Sequence, residues 1–403
     1  MKKHDVVIIG GGPAGLAAAV ELKKRGINDI LIIEREKQLG GILRQCIHDG
    51  FGLTRFGVTL SGPEYSQRFI DEVHKLQIPC ITNATVIDLS EDKVVTAATQ
   101  DGLLQVQAKT VILTMGCRER TRGALAIPGT RPSGIYNAGV AQSYINLFNT
   151  MVGKEVIIMG SGDIGLIMAR RLTLEGAKVK AVFEVLPYPS GLPRNIEQCL
   201  NDYGIPLYLS HSVVNIKGDK RIEGVTVVQV DEKMRPIPGT EKEFTCDTLV
   251  LSVGLIAGVQ LDNRTKGAFV DEHYQTTVPG IFAAGNVLHV HDLVDFVSQE
   301  AELLAAGVAS YLEHDGLPSC DIEVVPDPII GHVIPQRVSG KEDFQLWMRV
   351  RRPFGRCKIV VKQGDTVLKT VKLPKAIPAE MIQFVVPADQ IQENQNIEVL
   401  VYE

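Results

Sequence analysis

Two segments of the sequence carry the spacing Gly-x-Gly-x-x-Gly, which is typical of a turn that binds phosphates. Residues 10–15 follow the apolar run 6–9, and residues 160–165 follow the run 155–159. The first glycine permits the tight turn, the second lets a pyrophosphate approach the backbone, and the third lets the helix pack closely on the strand. Each segment therefore predicts a dinucleotide site at the N-terminus of a helix, where unpaired amides face the phosphates.

An acidic residue follows each glycine segment at the spacing expected for a ribose contact. Glu34 follows the apolar run 30–33, and Glu184 follows the run 179–183. A carboxylate at this position accepts ribose hydroxyls and repels a 2′-phosphate, and residues 185–189 offer no arginine, so the second site favours NAD over NADP. A plain glycine-rich turn, or a degenerate unit kept as a scaffold, is the alternative for these segments.

The order of predicted elements indicates two copies of one βαβ unit. Helices are expected at 13–24 and 162–175. Strands are expected at 110–114 and 248–253, each as the last strand of its sheet, and residues 280–312 are expected to return the chain to the first domain. After a proline-bearing linker at 326–335, short alternating runs predict a small antiparallel sandwich. The expected fold is α/β, with two Rossmann-like dinucleotide-binding domains, the second inserted in the first, and a C-terminal all-β sandwich. The predicted boundaries are 1–118 with 256–315 for the first domain, 119–255 for the second and 316–403 for the sandwich.

Composition excludes several other classes of function. The formal net charge is −5 and there is no basic tract, so nucleic acid is not an expected partner. The N-terminal apolar run is only four residues long, and no run approaches the roughly 18 of a membrane span, which favours a cytoplasmic location. The seven cysteines are scattered without a Cys-x-x-Cys pair, so we expect no metal centre and no disulfide framework.

Taken together, these motifs resemble the flavoproteins with two dinucleotide-binding domains, the group that contains thioredoxin reductases, NADH oxidases and glutathione reductases. The resemblance covers roughly residues 1–315 and implies FAD on the first domain and NAD(H) on the second. Residues 277–286 match the second FAD motif, with Asn286 in place of the usual Asp, and Ile167 stands where the second fingerprint usually has Glu. The implied FAD contacts are Gly10, Gly12, Pro13, Ala14, Gly15, Glu34, Arg35, Gly41, Ile42, Leu43, Val86, Thr114, Gly116, Gly285 and Asn286. The implied NAD contacts are Gly160, Gly162, Asp163, Ile164, Gly165, Glu184 and Gly254.

The candidate redox residues depart from that group. Thioredoxin reductases carry a Cys-x-x-Cys pair in the second domain, which this chain lacks, and only Cys46 follows the pair Gly40-Gly41. Cys46 with His48 close by is a candidate for a thiolate activated by an imidazole. The alternative is a cysteine packed as a small apolar residue, which is also our interpretation of Cys117.

A second candidate catalytic group lies just before the last predicted helix of the first domain. In the flavoproteins that this chain resembles, the N-terminus of that helix points at the edge of the flavin where negative charge develops on reduction. His289 or His291 would add to that stabilisation or contact a substrate. A metal set of the two histidines with Asp292 lacks further ligands, and an ordinary capping loop with Asp292 as N-cap competes with both interpretations.

Three further runs, residues 41–52, 116–120 and 286–295, are similar to a bacterial subgroup of FAD/NAD-binding subunits. Its members accompany flavoproteins like glycerol-3-phosphate dehydrogenase, and they are related to parts of sarcosine-oxidase-type and cyanide-synthase-type assemblies. The resemblance implies an oligomeric electron-relay chain whose substrate is oxidised by a partner dehydrogenase subunit, with the sandwich as a docking module. The alternatives are a self-contained NADH oxidase or peroxidase and a non-catalytic nucleotide-binding scaffold.

Overall fold

The computed structural model describes residues 1–257, 267–393 and 395–403. The chain divides into two compact units: Met1–Cys117 with Ala257–Glu403, and Arg118–Ile256. The C-terminal strands therefore belong to the same unit as the N-terminal fingerprint. The stretch 258–266 of the predicted first domain lies outside the described residues, and the three-domain division stays a prediction.

The first unit begins with a mainly parallel sheet. Its elements up to the second unit are β1 (Lys2–Ile9), α1 (Pro13–Lys24), β2 (Ile30–Ile33), α2 (Leu53–Phe56), α3 (Gly62–Lys75), β3 (Cys80–Ile81), β4 (Thr85–Leu89), β5 (Val94–Thr99) and β6 (Gly102–Leu113). Strand β7 (Cys117–Glu119) leads into the second unit. The strand order is β3-β2-β1-β6-β5-β4, with β1 parallel to β2 and to β6. The hydrophobic side chains of β1 and β2 are buried on both faces, as a parallel strand covered by helices requires.

The second unit is built around its own parallel sheet. It contains α4 (Arg122–Leu125), β8 (Ile135–Asn137), α5 (Ala138–Phe148), β9 (Glu155–Met159), α6 (Asp163–Leu174), β10 (Lys178–Phe183), α7 (Pro193–Cys199), β11 (Leu207–Tyr208), β12 (His211–Lys217), β13 (Gly224–Gln229), β14 (Lys242–Thr245), β15 (Thr248–Leu251) and β16 (Leu255–Ala257). The parallel sheet has the order β11-β10-β9-β15-β8, and β12, β13 and β14 form a separate antiparallel sheet. A fingerprint turn thus follows the first strand of each βαβ unit, β1 and β9.

The chain then completes the first unit. The remaining elements are β17 (Ile281–Ala283), α8 (Val294–His314), β18 (Ile322–Pro326), β19 (Ile330–Ile334), β20 (Arg337–Val338), β21 (Phe344–Val350), β22 (Cys357–Gln363), β23 (Thr366–Leu373), β24 (Ile382–Val386) and β25 (Ile397–Tyr402). Strand β17 pairs in parallel with β6, which extends the parallel part of the first sheet. The predicted α/β fold with two Rossmann-like sheets is confirmed.

The C-terminal part contains two sheets, of order β20-β18-β25-β22-β23 and β19-β21-β24. Apolar side chains from both sheets form one buried cluster, which includes Ile359 and Leu346. The predicted linker at 326–335 is wrong, because β18 ends at Pro326 and β19 fills residues 330–334. Ile330, Val333 and Ile334 are buried there, so the apolar content of this stretch outweighs its prolines.

Among the described residues, no helix is both long enough and apolar enough to cross a membrane.

Candidate functional site

The first fingerprint turn leaves open space at one glycine and none at the two others. Gly10 has φ +110°, and a Cβ there would lie 2.6 Å from the Thr114 carbonyl oxygen. A Cβ on Gly15 would lie 1.9 Å from the Gly10 oxygen, so the helix packs directly on the strand. At Gly12 the nearest atom to such a Cβ is 3.8 Å away, on Gly41. The cradle that a pyrophosphate needs is therefore present at Gly12.

The helix that follows this turn offers its first amides without a cap. Gly12 is the N-cap of α1, and no side chain accepts a hydrogen bond at that position. By contrast, Ser61 and Glu64 form a complete capping box at the start of α3. The first-turn N–H groups of a helix have no partner within the helix. The free amides of α1 suit the phosphates of FAD.

Glu34 lies beside the turn and keeps acceptor capacity for a ribose. Its side chain is buried, Oε2 accepts a hydrogen bond from the Gly11 amide at 2.6 Å, and Oε1 accepts one from the Glu36 amide at 2.8 Å. A carboxylate has about four acceptor positions. Two of them therefore remain for ribose hydroxyls.

Several other predicted FAD residues surround this turn. The Thr114 hydroxyl lies 3.0 Å from the carbonyl oxygens of both Ile9 and Gly10 and so fixes the turn from the neighbouring strand. A Cβ on Gly285 would lie 2.9 Å from the Cβ of Ala14, which places the second FAD motif against the start of α1. These residues meet at the carboxyl ends of β1, β6 and β17, where open α/β sheets bind ligands.

The remaining predicted FAD residues differ in exposure. Ile42 is exposed and Leu43 is buried, although they are neighbours in a short 3-10 turn. Arg35 is exposed, with Nε 3.5 Å from a carboxylate oxygen of Glu36. Val86 is half-buried on β4 and pairs with Ala97. The flavin roles of these residues, like that of Gly116 with φ +70°, stay predictions.

The second fingerprint repeats the geometry of the first. Cβ atoms on Gly160 and Gly165 would lie 2.0 Å and 2.7 Å from atoms of Ser252, whereas Gly162 has no neighbour closer than 3.6 Å. Gly162 is the N-cap of α6, again without a side-chain hydrogen bond. Gly254 has φ +102°, a conformation that favours glycine. Gly162 therefore leaves open space in the second unit as well, and phosphate binding there stays a prediction.

Glu184 differs from Glu34 in how much of its acceptor capacity is used. Oε2 accepts from the Ser161 amide at 3.0 Å, the Ser161 hydroxyl at 2.5 Å and the Ser190 hydroxyl at 2.8 Å. Oε1 accepts from the Leu186 amide at 3.0 Å. The chain itself thus supplies four donors to this carboxylate, three of them to Oε2. A ribose hydroxyl that binds Oε2 would have to displace one of the two serine hydroxyls.

The loop after Glu184 also covers the first residue of α6. The Asp163 carboxylate accepts hydrogen bonds from the Leu192 amide at 2.8 Å and from the Asn195 side-chain amide at 2.6 Å. The Ser190 amide donates to the Ser161 hydroxyl at 2.9 Å. Ser190 could not be predicted as a site residue, because a hydroxyl in a Pro-Ser-Gly stretch carries no signal beyond that of a turn.

Cys46 and His48 do not have the features of an activated thiolate. The Cys46 thiol donates to the Ile42 carbonyl oxygen at 3.4 Å, and burial raises the pKa of this thiol to about 12. His48 Nδ1 lies 3.0 Å from the Asp49 carbonyl oxygen, and its ring packs on Phe51 at 4.9 Å. An activated thiolate requires a lowered pKa, so the structure favours Cys46 as a packed residue.

His289 and His291 both contact Glu300, a buried glutamate that no sequence motif marks. His289 Nε2 lies 2.5 Å from one carboxylate oxygen of Glu300, and His291 Nε2 lies 3.2 Å from the other. Asp292 is not the N-cap of α8, which is Leu293 without a side-chain hydrogen bond. Asp292 accepts instead from Arg349 at 3.0 Å. The carboxylate of Asp292 therefore binds a residue of β21 instead of the start of α8, and the prediction of Asp292 as the N-cap of this helix is wrong.

Two groups of side chains in the described part of the chain have the donor types and proximity of a metal site. One is His289, His291 and Glu300, and the other is Glu272, His273 and Cys320. In the first group the 2.5 Å contact between His289 and Glu300 has the length of a hydrogen bond. Neither group includes Asp292, the third ligand considered from the sequence.

Comparison with known families and proteins places the chain in a family. A profile of the family described as pyridine nucleotide-disulphide oxidoreductase matches residues 4–306. Hydrogen cyanide synthase subunit HcnB of Pseudomonas aeruginosa is 25% identical over 331 residues, which are 75% of this chain and 69% of HcnB. The glutamate synthase (NADPH) small chain of Mycobacterium tuberculosis is 24% identical, over 77% of this chain and 67% of its own length. Ferredoxin–NADP reductase of Streptococcus sanguinis is 27% identical, over 73% and 89%.

Solved structures share the fold over about three quarters of the chain. Thioredoxin reductase of T. acidophilum superposes with a TM-score of 0.61 at 24% identity, covering 77% of this chain and 99% of that enzyme. A bacillithiol disulfide reductase of Bacillus cereus superposes with a TM-score of 0.60 at 20% identity, covering 77% and 99%.

Proposed function

Because the chain belongs to the pyridine nucleotide-disulphide oxidoreductase family, we propose that it is an electron-relay subunit of a multi-subunit dehydrogenase. The chain is an FAD-dependent pyridine nucleotide oxidoreductase, with FAD and NAD(P) as its cofactors. In the proposed reaction a hydride passes between NAD(H) and FAD. The observation that carries the proposal is the repeated pairing of an open glycine cradle with a buried acid, Gly12 with Glu34 and Gly162 with Glu184.

In this proposal the chain's own residues bind and orient the cofactors. The amides at the start of α1 bind the FAD pyrophosphate, and Glu34 accepts ribose hydroxyls through its two remaining acceptor positions. The amides at the start of α6 bind the pyrophosphate of the nicotinamide cofactor. The bound cofactors supply the hydride chemistry, and the protein supplies position and electrostatics.

The relay role is favoured over a self-contained peroxidase by the environment of Cys46. A peroxidase that uses this cysteine needs a thiolate at neutral pH, and burial raises the thiol pKa to about 12. In addition, two relatives are named as subunits of larger enzymes, the cyanide synthase subunit HcnB and the glutamate synthase small chain. These relatives support a partner subunit for this chain.

The finer parts of the proposal follow from the sequence resemblance. The partner is a flavoprotein dehydrogenase like glycerol-3-phosphate dehydrogenase, and the complex is an oligomer located in the cytoplasm. The C-terminal sheets would provide the docking surface. The nicotinamide cofactor is NAD rather than NADP, because the buried Glu184 would repel a 2′-phosphate.

An anaerobic titration of the purified protein with NADH, followed by NADPH, tests the hydride transfer. We expect NADH to bleach the flavin absorbance at lower concentration than NADPH. A protein that binds FAD but is not reduced by either nucleotide would contradict the proposal and favour a non-catalytic scaffold.

Purification from the native host tests the relay role. We expect substrate-dependent reduction of NAD only when a second flavoprotein subunit is retained with the chain. Cys46→Ser should keep NADH-dependent reduction of an artificial dye, since the thiol takes no part. Substrate turnover by the isolated chain, abolished by Cys46→Ser, would contradict the relay.

A further inference from the structure

The group of His289, His291 and Glu300 is buried in the first unit. The exposed fractions of the three side chains are 4%, 1% and 0%. Glu300 lies on the second turn of α8, and both histidines lie in the segment that precedes this helix. A buried carboxylate is costly unless hydrogen bonds satisfy it. The hydrogen-bond partners of Glu300 therefore identify the parts of the chain that this group holds in place.

Besides the two imidazoles, Glu300 binds the backbone of the second FAD motif. The Gly285 amide donates to Glu300 Oε1 at 2.5 Å. The next residue, Asn286, accepts a hydrogen bond from the His291 amide at 3.1 Å. Both residues of the Gly285–Asn286 turn are thus held by one buried group. Because this turn packs on Ala14 at the start of α1, its position bears on the FAD site.

Residues of the C-terminal sheet β19-β21-β24 contact the two histidines of the group. His289 Nδ1 lies 3.2 Å from His332 Nε2 on β19, and the His291 ring lies 5.8 Å from the Trp347 ring on β21. Trp347 donates its indole N–H to the Tyr274 hydroxyl at 2.9 Å. Strands β19 and β21 therefore form part of the wall around the glutamate.

The hydrogen-bond pattern assigns the charge of the group. If each Nε2 atom donates to the carboxylate, Glu300 is the anion that accepts both hydrogen bonds. Burial lowers the pKa of His289 to about 4, in agreement with a neutral ring. Burial alone would raise the pKa of Glu300, but the hydrogen bonds and the electrostatic stabilisation that its carboxylate receives from His289 and His291 outweigh burial and lower this pKa. The negative charge of Glu300 thus lies at hydrogen-bond distance from the Gly285 amide.

We propose that Glu300, held by His289 and His291, is a positioning residue that fixes the Gly285–Asn286 turn against the FAD and lowers the reduction potential of the flavin. This inference rests on FAD binding by the first unit but not on the relay role. A fixed anion near the flavin opposes the negative charge that reduction adds. Because the C-terminal sheet contacts His289 and His291, it takes part in the cofactor site as well as in any docking.

The test compares Glu300→Gln with Glu313→Gln, which removes an exposed carboxylate from the same helix. The readouts are the dissociation constant of FAD, measured by fluorescence titration of the apoprotein, and the midpoint potential of the bound flavin against reference dyes. We expect Glu300→Gln to weaken FAD binding about tenfold, since a charged hydrogen-bond partner is lost, and to raise the midpoint potential. Glu313→Gln should leave both values unchanged. Unchanged values in both variants would overturn the proposal.

A second pair of variants keeps the test informative if Glu300→Gln does not fold. His289→Gln retains an N–H donor near the position of Nε2, whereas His289→Leu removes it. We expect His289→Gln to bind FAD within about twofold of the wild type and His289→Leu to bind it several-fold more weakly. Equal loss in both variants would overturn the donor role. A stoichiometric metal ion in the purified protein would also overturn it, since the Nε2 atoms would then be ligands.

Discussion

The Ser190 hydroxyl lies 2.8 Å from Glu184 Oε2, so a loop residue already uses part of the acid that the sequence assigns to a ribose. In the first unit, the Glu34 carboxylate accepts hydrogen bonds from two backbone amides, those of Gly11 and Glu36, and from no side chain among the described residues. The two dinucleotide sites therefore share their phosphate cradles and differ at their acids. This difference leads to the first prediction.

Replacing Ser190 by Ala should lower the KM for NADH by about two- to tenfold, with little change in kcat. The variant frees one acceptor position on Glu184 for the ribose, and a single hydrogen bond contributes about 0.5–1.5 kcal/mol. Steady-state kinetics with an artificial dye measure both constants. Ser212→Ala, on β12, is the matched control outside this loop. A higher KM in Ser190→Ala would mean that the hydroxyl orients Glu184 rather than competing for it.

Replacing Glu184 by Gln should reduce the preference for NADH over NADPH. The neutral amide no longer repels a 2′-phosphate, and it binds ribose hydroxyls less strongly than a carboxylate does. We expect the ratio of kcat/KM for the two nucleotides to fall by about tenfold, equivalent to about 1.4 kcal/mol. Glu197→Gln, on α7, is the control. An unchanged ratio would show that Glu184 only organises the surrounding loop.

Gly12→Ala and Gly15→Ala should separate cofactor binding from folding. A Cβ at Gly12 has no neighbour closer than 3.8 Å, so the apoprotein should keep its stability within about 0.5 kcal/mol while losing FAD. A Cβ at Gly15 would lie 1.9 Å from the Gly10 oxygen, so this variant should be strongly destabilised. Thermal melting of the apoproteins and the FAD content after reconstitution distinguish the two effects. Normal FAD binding by Gly12→Ala would contradict the assigned cradle.

The Cys46 thiol should react slowly with iodoacetamide in the folded protein at pH 8. Burial raises its pKa to about 12, whereas an unfolded cysteine titrates near 8.5. The neutral thiol stabilises the fold fully below about pH 8.5, and this contribution is lost as the pH rises toward 12. Alkylation followed by peptide mapping, in native buffer and in denaturant, measures the difference. Rapid native alkylation at Cys46 near pH 7 would restore the activated-thiolate hypothesis.

Trp347→Phe should destabilise the first unit by about 1–3 kcal/mol. The change leaves the buried Tyr274 hydroxyl without its indole donor, and an unsatisfied buried polar group costs about that much. Tyr274→Phe removes the other partner, so the double variant should recover part of the loss. Denaturant unfolding of the wild type and the three variants gives the coupling energy. Strictly additive effects would show that the hydrogen bond contributes nothing.

Much of the fold was predictable because the dinucleotide units carry dense local signals. Strands β2 and β9 and helix α1 lie where the sequence places them. Helix α3 was missed although Ser61 and Glu64 form a capping box that the sequence displays. Strand β19 was mistaken for part of a linker because of the prolines around it, yet Pro335 lies next to the end of this strand, where it does not interrupt pairing.

The sequence by itself determined the two phosphate cradles and the acids that accompany them. Glycine requirements, strand burial and the start of a helix are local, so spacing along the chain is enough to predict them. The tertiary structure alone decided the partners of those acids and of His289 and His291. Ser190 reaches Glu184 through a loop, and Glu300 meets His332 across 32 residues of chain through His289. Such contacts depend on where separate elements pack, and no periodicity in the sequence encodes that.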